Sequence, residues 1–495
     1  MTGLPASSRR AATGGLRISE RVRLIGLTTE ALVAVLPGDA MAATELFARP
    51  AEGGRLPDWA GAAPVDQQLS AWLRRHPAIG ARERRWLSDR VYDVLRHGRA
   101  FEAFVCGPGQ EFAALGADDA GGARDMRERL QAMVCLSAAL SARTGRDAAA
   151  STDPEAGMPD TGGAGHGAGQ AVVDRYHQWL AEQPEAVRYS LPDWFWAELQ
   201  ASHGAAGAAK LAGTLLLPAA IEIRCNLLRG KAAVLQKRLA EAGIAAEQVA
   251  TLPAALRISG RPALTRLPLF EQGWFELQDA GSQAIAEHAA ARRGERVIDF
   301  CAGAGGKTLA LAARMRNQGQ ILAFDTEDAR LARLGPRLRR AGVDVVTPMR
   351  LSGCDDRRLG RYAGWSDLVL LDAPCSGSGT LRRHPDLKWR LQPGDVQKSQ
   401  QLQQQILMSA VHLLRPGGRL VYATCSLLAQ ENEAQMRWLA GQFGRSGSGE
   451  EADRGRTGNA PERAITLVAG PVRHWLPEPA GGDAFFMASW QRGQA

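Results

Sequence analysis

The chain has 495 residues, with 60 Lys plus Arg against 52 Asp plus Glu, which gives a formal net charge of +8. This length predicts two or three domains, and the basic balance favours a polyanionic partner, although a solvated basic surface accounts for it about as well. The seven cysteines contain no Cys-x-x-Cys pair, and the apolar stretch near 211–223 is interrupted by Gly213 and Pro218, so we expect no disulfide framework, no metal site, no membrane partner and a cytoplasmic location.

The N-terminal part of the chain is predicted to be helical. We expect residues 1–60 to form a partly disordered arm and residues 61–143 a helical domain, because Leu87 and Val91 begin an apolar repeat at helical spacing. Arginines lie between these apolar positions, and an RNA-binding face or a solvated bundle helix explains them equally well. Residues 144–170 are rich in Gly, Ala, Asp and Pro and are predicted to be a low-complexity linker.

Strands enter the pattern further along the chain. We expect residues 171–285 to form a helical segment and a small α/β lead-in module, whose strands are predicted at 221–226, 255–258 and 274–277. From 286 to 495 strands and helices alternate, which predicts a doubly wound parallel sheet. Its strands are predicted at 296–300, 320–325, 345–349, a run ending at Asp372, 419–424, near 464–468 and 484–490. A second low-complexity stretch, near 444–461, is predicted to be a surface insertion.

A glycine-rich loop follows the first strand of this sheet and opens a helix, where backbone N–H groups can approach a ligand closely. Its candidate ligand-binding residues are Cys301, Ala302, Gly303, Ala304, Gly305, Gly306 and Lys307. An ATP-binding Walker A loop requires glycine at position 301, which is Cys301, and the glycine spacing does not supply a dinucleotide fingerprint. S-adenosylmethionine is the third candidate, with Asp325 receiving the ribose hydroxyls, although Asp325 alone could equally be a helix cap.

Two cysteines follow apolar runs at the ends of predicted strands. Cys375 lies in the block Asp-Ala-Pro-Cys-Ser-Gly-Ser-Gly that begins at Asp372, and Cys425 lies in Tyr-Ala-Thr-Cys-Ser. Both thiols are therefore expected at the carboxyl edge of the parallel sheet, where open α/β folds bind their ligands. A paired thiol site of this kind indicates covalent catalysis on a base. The alternative for any free cysteine is a small buried apolar residue.

Several ordered blocks resemble the Sun/nucleolar-protein family of RNA cytosine-5 methyltransferases, and bacterial 16S rRNA members in particular. The blocks are 278–283, 301–308, 372–379 continuing through 382–389, and 422–426 with 431–433. The resemblance extends over roughly residues 190 to 490 and implies a Rossmann-like doubly wound methyltransferase domain. The small α/β lead-in module and the N-terminal helical domain precede that domain.

The resemblance implies a role for each thiol. Cytosine C5 is too electron-poor to attack a methyl sulfonium, so a thiolate must first add at C6. Family members use the Thr-Cys thiol, here Cys425, as this nucleophile, and the Pro-Cys thiol, here Cys375, aids product release. In cytosine-5 DNA methyltransferases the Pro-Cys thiol is the nucleophile, and no second cysteine is needed. Asp372 fits a carboxyl group that binds the cytosine edge and contributes to the cofactor site.

The implied cofactor is S-adenosylmethionine and the implied partner is RNA, with rRNA expected and tRNA as the alternative, acted on by a monomer. Candidate RNA contacts are Arg382, Arg383, His384 and Lys388, for which the alternative is a solvated loop. Glu431 and Glu433 are expected to begin the next helix. Lys307 or nearby arginines could help keep the thiol ionised.

Two features depart from the family pattern. Family members usually carry Ala-Pro-Gly-Gly in the cofactor loop, where this chain has Gly303-Ala304-Gly305-Gly306, and no acid follows the third strand early enough to assign the adenine contact. These departures keep open a non-catalytic RNA-binding ribosome assembly factor. A nicotinamide oxidoreductase would depend on the strand alternation and Asp325 alone, and a fold does not assign a function.

Overall fold

The computed structural model describes residues 18–37, 47, 63–106, 126–143, 165–443 and 465–494. Much of the predicted N-terminal arm, most of the predicted linker 144–170 and the predicted insertion 444–461 lie outside these residues. The chain divides into two compact units, residues 1–193 and 194–495.

The first unit is helical in its described residues. Its helices are α1 (Ile18–Val35), α2 (Val65–Arg75), α3 (Ala81–Cys106), α4 (Met126–Arg143), α5 (Gly165–Ala181) and α6 (Glu185–Arg188). The basic helix predicted near Leu87 is α3, but its arginines do not share one environment. Arg90 is buried and donates hydrogen bonds to Ser137 O at 3.0 Å and to Ser141 Oγ at 2.7 Å. Part of the arginine density in α3 therefore stabilises the helical unit itself.

The second unit begins within helix α7 and continues into a four-stranded antiparallel sheet. Its elements are α7 (Asp193–Leu215), β1 (Ile221–Cys225), α8 (Ala232–Glu241), β2 (Ala246–Gln248), β3 (Ala255–Ile258), α9 (Pro268–Glu271) and β4 (Phe275–Leu277). The strand order is β2-β3-β1-β4. Ile223 and Phe275 of the sheet pack with Leu235 and Leu239 of α8 in a core of their own. This is the predicted lead-in module, with β2 as a short strand that the sequence pattern did not reveal.

The larger sheet follows. Its elements are α10 (Ala280–Ala289), β5 (Arg296–Asp299), α11 (Gly306–Arg314), β6 (Gln320–Asp325), α12 (Asp328–Ala341), β7 (Val346–Arg350), β8 (Ser366–Asp372), α13 (Leu387–Arg390), α14 (Pro393–Leu413), β9 (Leu414–Thr424), α15 (Glu433–Phe443), β10 (Leu467–Trp475) and β11 (Phe485–Arg492). The strand order is β10-β11-β9-β8-β5-β6-β7, and the five strands from β9 to β7 are parallel. The Rossmann-like prediction is confirmed.

The last two strands differ from the prediction. β11 pairs antiparallel with β9, and β10 pairs antiparallel with β11, so the sheet is mixed rather than wholly parallel. The first terminal strand was placed near 464–468, whereas β10 begins at Leu467 and runs to Trp475. Most of β10 is exposed at the sheet edge. An exposed edge strand carries no continuous apolar run, and this explains why the pattern misplaced it.

Candidate active site

The strand order places the candidate residues at one point of the sheet. β5, β6 and β7 succeed one another in one direction, and β8 and β9 lie on the other side of β5, so the order reverses between β5 and β8. The glycine-rich loop follows β5, Asp372 ends β8, and Cys425 follows β9. Ligands of open α/β sheets bind at the carboxyl ends of strands beside such a reversal.

The glycine-rich loop is a tight turn that leads directly into α11. Gly305 N donates to Ala302 O at 2.9 Å, and both Gly303 and Gly305 have positive φ, of 56° and 82°. Gly303 N donates to Asp325 Oδ2 at 2.8 Å, so Asp325 supports the loop from β6. A Cβ atom on Gly303 would have no neighbour within 4 Å. The loop therefore leaves open space above its backbone, as close approach of a ligand requires.

Acidic groups surround this loop. Asp299 is fully buried, and its Oδ2 accepts a hydrogen bond from Thr308 Oγ1 at 2.6 Å, while its Oδ1 has no partner among the described residues. Burial raises the pKa of Asp299 to about 7, although the Thr308 hydrogen bond opposes the rise. Burial, followed by the nearby carboxylates of Asp372, Asp299 and Asp325, also raises the pKa of the Cys301 thiol. Such a site favours a ligand that carries positive charge.

Asp372 forms an ion pair with Lys307 at the start of α11. Lys307 Nζ lies 2.6 Å from Asp372 Oδ2 and 5.6 Å from the centre of the Phe485 ring. Burial acts to lower the pKa of Lys307, but the Asp372 carboxylate outweighs it, and the pKa lies above its ordinary value. Lys307 is therefore a cation held at the edge of the site.

The two thiols predicted to meet at the sheet edge lie side by side. Cys375 Sγ and Cys425 Sγ are 3.3 Å apart. The hydrogen bond with Cys425, followed by burial, raises the pKa of Cys375 well above its ordinary value. Cys375 therefore retains its proton at neutral pH and can donate it toward the sulfur of Cys425.

A buried polar network joins the segments that carry these thiols. Glu431 is fully buried, accepts from Ser376 N at 2.7 Å and Ser376 Oγ at 2.5 Å, and also accepts from Gln403 Nε2 at 3.1 Å. Ser378 Oγ lies 3.1 Å from Ser426 Oγ, which links the two cysteine blocks across the site. The sequence placed Glu431 at a helix start, but α15 begins at Glu433. Glu431 and Glu433 therefore differ in role, and the sequence pattern did not distinguish them.

The basic segment after Cys375 does not form one RNA-facing surface. Arg382 is 1% exposed and donates to backbone carbonyls on two distant segments, including Pro218 O at 2.7 Å and Gly481 O at 2.8 Å. Lys388 is also buried, with its ammonium 4.8 Å from the Trp389 ring centre. Arg382 therefore does not fit a predicted RNA contact, because its guanidinium binds backbone carbonyls, and the burial of Lys388 disfavours that role for it as well.

The other two predicted RNA contacts have different surroundings. Arg383 Nη2 lies 2.6 Å from Asp279 Oδ2 and its Nε 2.7 Å from Asp483 Oδ2, and the side chain is partly exposed. His384 is exposed. His384 thus remains available to a ligand, whereas Arg383 mainly ties α10 to the segment before β11.

Two absences apply to the described part of the chain. Within it, no group of three or more His, Cys, Asp or Glu side chains is arranged to hold a metal ion. Among the same residues, no helix has the length and apolarity needed to span a membrane.

The site thus combines a Rossmann-like sheet, a glycine-rich loop with acidic neighbours and a pair of thiols, and the comparison with known proteins assigns its class. Residues 287–491 match the family model described as 16S rRNA methyltransferase RsmB/F, and residues 191–265 match the RsmF/B-like ferredoxin-like domain. The probable ribosomal RNA small subunit methyltransferase B of Synechocystis sp. is 30% identical over 452 residues, which are 86% of this chain and 95% of that protein. The chain belongs to the RsmB/F family of 16S rRNA methyltransferases.

Other relatives match over a shorter region. Ribosomal RNA small subunit methyltransferase B of Klebsiella pneumoniae is 36% identical over 252 residues, half of this chain and 54% of that protein. A methyltransferase homolog protein from Pyrococcus horikoshii has a TM-score of 0.52 and 27% identity over 62% of this chain and 97% of its own. The crystal structure of PH0851 has a TM-score of 0.63 at 22% identity, covers 93% of this chain and 98% of its own, and supports the fold alone.

Proposed function

We propose that this enzyme transfers a methyl group from S-adenosylmethionine to C5 of a cytosine in ribosomal RNA, through a covalent bond between Cys425 and C6. The observation that carries the proposal is the thiol pair, with Cys375 Sγ and Cys425 Sγ 3.3 Å apart at the sheet edge that also holds Asp372. The relatives named as ribosomal RNA small subunit methyltransferases support rRNA as the substrate.

The glycine-rich loop fits S-adenosylmethionine, which supplies an electrophilic methyl group on a cationic sulfur when bound. The open space above Gly303, the unpartnered Oδ1 of Asp299 and the surrounding carboxylates suit a ligand with a sulfonium and an ammonium group. Residues 301–307, Asp325 and Asp372 are the proposed binding residues. NSun6 from Pyrococcus horikoshii, solved with the ligand SFG, shares the fold with a TM-score of 0.52 at 19% identity, over 61% of this chain and 99% of its own.

The position of Cys425 after β9, in the Thr-Cys block, supports it as the nucleophile, with Cys375 as its neighbour. Cys375 keeps its proton because the contact with Cys425 and burial raise its pKa, so it can stabilise a thiolate on Cys425 by hydrogen bonding. The Cys425 thiolate then adds to cytosine C6, and the electron pair of the C5–C6 double bond becomes available at C5 for the methyl group. Methyl transfer would break the carbon–sulfur bond of the sulfonium and release S-adenosylhomocysteine. Water would then take up the C5 proton, the C5–C6 double bond would form again, and Cys425 would depart as a thiolate with Cys375 aiding this release.

Asp372 and Lys307 support that addition. In our proposal the Asp372 carboxyl group binds N3 and N4 of the cytosine, where the ring gains a proton as C6 is attacked. Lys307 Nζ holds Asp372 Oδ2 at 2.6 Å, which fixes the carboxyl plane before the base arrives. Lys307 also brings positive charge to the thiol site, as thiolate stability requires.

The cytosine must leave its stack to reach the thiols, so the target is proposed to lie in a loop, a bulge or incompletely assembled RNA. His384 is the proposed RNA contact beside the site, and the helical unit with its exposed Arg82 and Arg85 is proposed as a further RNA-binding region. We also propose that the enzyme acts in the cytoplasm as a monomer. A tRNA substrate remains the alternative within the same chemistry.

The test uses wild type, Cys425→Ala, Cys375→Ala and the control Cys106→Ala, whose cysteine lies in the helical unit. Each is incubated with radiolabelled S-adenosylmethionine and total RNA from a strain lacking the protein, and 5-methylcytosine is mapped by bisulfite sequencing. We expect one rRNA cytosine to be methylated by wild type and Cys106→Ala, no transfer by Cys425→Ala, and a trapped protein–RNA adduct with Cys375→Ala. Full transfer by Cys425→Ala would refute the assigned nucleophile.

Other outcomes separate the remaining alternatives. Methylation confined to tRNA would replace the proposed substrate and keep the mechanism. If folded wild type binds RNA but transfers no methyl group to any RNA, the non-catalytic assembly factor becomes the better explanation. The intact Asp372, Cys375 and Cys425 count against that explanation.

A further inference from the structure

Helix α12 packs directly on the glycine-rich loop. A Cβ atom on Gly305 would lie 2.1 Å from Leu334 Cδ1, so only glycine lets the loop and the helix approach this closely. Leu334 itself is fully buried. One turn further along α12, Arg337 Nη1 donates to the loop carbonyl Ala304 O at 2.6 Å. The helix therefore contacts the loop once through an apolar side chain and once through a charged donor.

The guanidinium of Arg337 is itself held in place by the lead-in sheet. Arg337 Nε and Nη2 lie 3.2 Å and 3.0 Å from Glu276 Oε2 on β4. Arg340, one turn further along the helix, lies 2.5 Å from the other carboxylate oxygen of Glu276. Glu276 is buried, so its carboxylate is shielded from solvent and held in a fixed orientation. A carboxylate with both oxygens paired fixes the planar fork of Arg337 in one geometry.

The loop has little stiffness of its own. Glycines occupy positions 303, 305 and 306, and two of them adopt the left-handed backbone conformation. Glycine loses more conformational freedom on ordering than any other residue, so a ligand that needs this turn would have to order it unless another group does so first. Arg337 reaches the carbonyl of Ala304, which stands between the two glycines of positive φ.

We propose that Arg337 is a positioning residue that orders the cofactor loop, and that Glu276 makes the lead-in sheet part of the cofactor site. Arg337 touches the loop backbone rather than the reacting atoms, and it acts by removing an ordering cost from cofactor binding. The inference relies on the proposed function only for the identity of the ligand. The ordering of the loop itself is a property of the protein alone.

The first measurement is hydrogen exchange of the Gly303 and Gly305 amides without any cofactor. These amides donate to Asp325 Oδ2 and Ala302 O and report directly on opening of the turn. We expect about tenfold faster exchange in Arg337→Met and a smaller increase in Glu276→Gln. Arg333→Met, which alters an exposed arginine on the same helix, should exchange like wild type. Unchanged exchange in folded Arg337→Met would overturn the proposal.

The second measurement is the affinity for S-adenosylhomocysteine by calorimetry, with KM for S-adenosylmethionine alongside. We expect Kd and KM to rise about tenfold in Arg337→Met with kcat preserved, because the loop must be ordered on binding but the thiols are untouched. The double variant Arg337→Met with Glu276→Gln should bind no more weakly than Arg337→Met, since Glu276 acts through Arg337. If the two substitutions instead weaken binding independently and their losses of affinity add, Glu276 does not act through Arg337.

The two measurements separate the two proposals. Faster exchange in Arg337→Met together with no cofactor binding by wild type would retain the positioning role and reject the proposed ligand. Normal exchange together with cofactor binding by wild type would do the reverse. Arg337→Lys provides a second variant, since one ammonium cannot reproduce the fork and should give an intermediate exchange rate.

Discussion

Two fully buried acids, one in contact with the cysteine segments and one at the start of the cofactor loop, have opposite surroundings. Glu431, beside the cysteine segments, accepts two hydrogen bonds from Ser376 and one from Gln403, so both of its oxygens are paired. Asp299, below the cofactor loop, accepts one hydrogen bond from Thr308, and its other oxygen has no partner among the described residues. A paired buried acid stabilises a fold, whereas an unpaired one costs free energy until something binds near it.

The comparison separates the thiol side of the site, where both oxygens of the buried acid have hydrogen-bond partners, from the cofactor side, where one oxygen has no partner among the described residues. The segments that carry the thiols are held by buried polar groups that already hydrogen-bond to one another. This suits a nucleophile that must meet a base in one geometry. The cofactor loop combines a buried acid, one oxygen of which has no partner among the described residues, with two glycines of positive φ, and it accepts a hydrogen bond from Arg337 of α12. Stability and ligand binding should therefore respond in opposite ways to substitutions on the two sides.

A large loss of stability is expected when the buried acid on the thiol side is removed. Glu431→Ala leaves the buried N–H of Ser376 without its acceptor and removes one acceptor each from the Ser376 hydroxyl and the Gln403 amide, and should lower the free energy of unfolding by about 3 kcal/mol. Denaturant unfolding measures this loss. The control is Glu433→Ala, two residues away, where a half-exposed ion pair with His474 predicts a loss of less than about 1 kcal/mol. Equal losses in the two variants would show that the network does not support the cysteine segments.

Asp299, the buried acid on the cofactor side, should make the free energy of unfolding depend on pH. The pKa of Asp299 rises from 3.8 to about 7 because of burial, so the unfolded chain gives up this proton at lower pH than the folded protein does. Below about pH 4 both states are protonated and Asp299 has no effect, and between about pH 4 and pH 7 it lowers stability progressively, by on the order of 4 kcal/mol. Above pH 7 both states are ionised and the loss stays constant.

Asp299→Asn tests this sign. The difference in free energy of unfolding between the variant and wild type should grow in favour of the variant from pH 4 to pH 7 and then level off. The same variant should bind S-adenosylhomocysteine more weakly, because it removes a negative charge from the loop. A difference that does not depend on pH would mean that Asp299 is not destabilised by burial.

The strands and loops that carry the site could be predicted from the sequence because their signals are local. The strand Gln320–Asp325 has the predicted bounds, and the thiols of Cys375 and Cys425 meet because parallel strands end at one edge. Arg382 shows where such reasoning stops, since the carbonyls it binds lie about 100 and 165 positions away along the chain. A stretch of basic residues displays charge, but only the fold shows which carbonyls that charge serves.

The roles of Glu431 and Arg337 were not predicted from the sequence, for the same reason in both cases. Each is an ordinary charged residue in a helical or turn context, and its role comes from partners on other elements, Ser376 and Gln403 for the first and Glu276 and Ala304 for the second. The cofactor loop was recognisable because glycines mark a backbone that a ligand approaches. The helix that supports the loop carries no such mark.

The smallest effect separates the shape of the cofactor loop from its ligand. Gly303 and Gly243 both have positive φ, of 56° and 75°, and at both positions a Cβ atom would meet nothing within 4 Å. Substitution by alanine should therefore cost each site only the backbone strain, about 1 kcal/mol in free energy of unfolding. Gly243 lies after α8 in the lead-in module, whereas the space above Gly303 is the proposed position of the cofactor.

Calorimetry with S-adenosylhomocysteine should then distinguish two equally destabilised proteins. Gly303→Ala is expected to bind several-fold more weakly than wild type, and Gly243→Ala with unchanged affinity, since only the first methyl group enters the ligand's space. If both variants bind like wild type, the cofactor does not approach the backbone at Gly303. The open space above Gly303 would then serve another part of the reaction, and the Oδ1 atom of Asp299 would need a different partner.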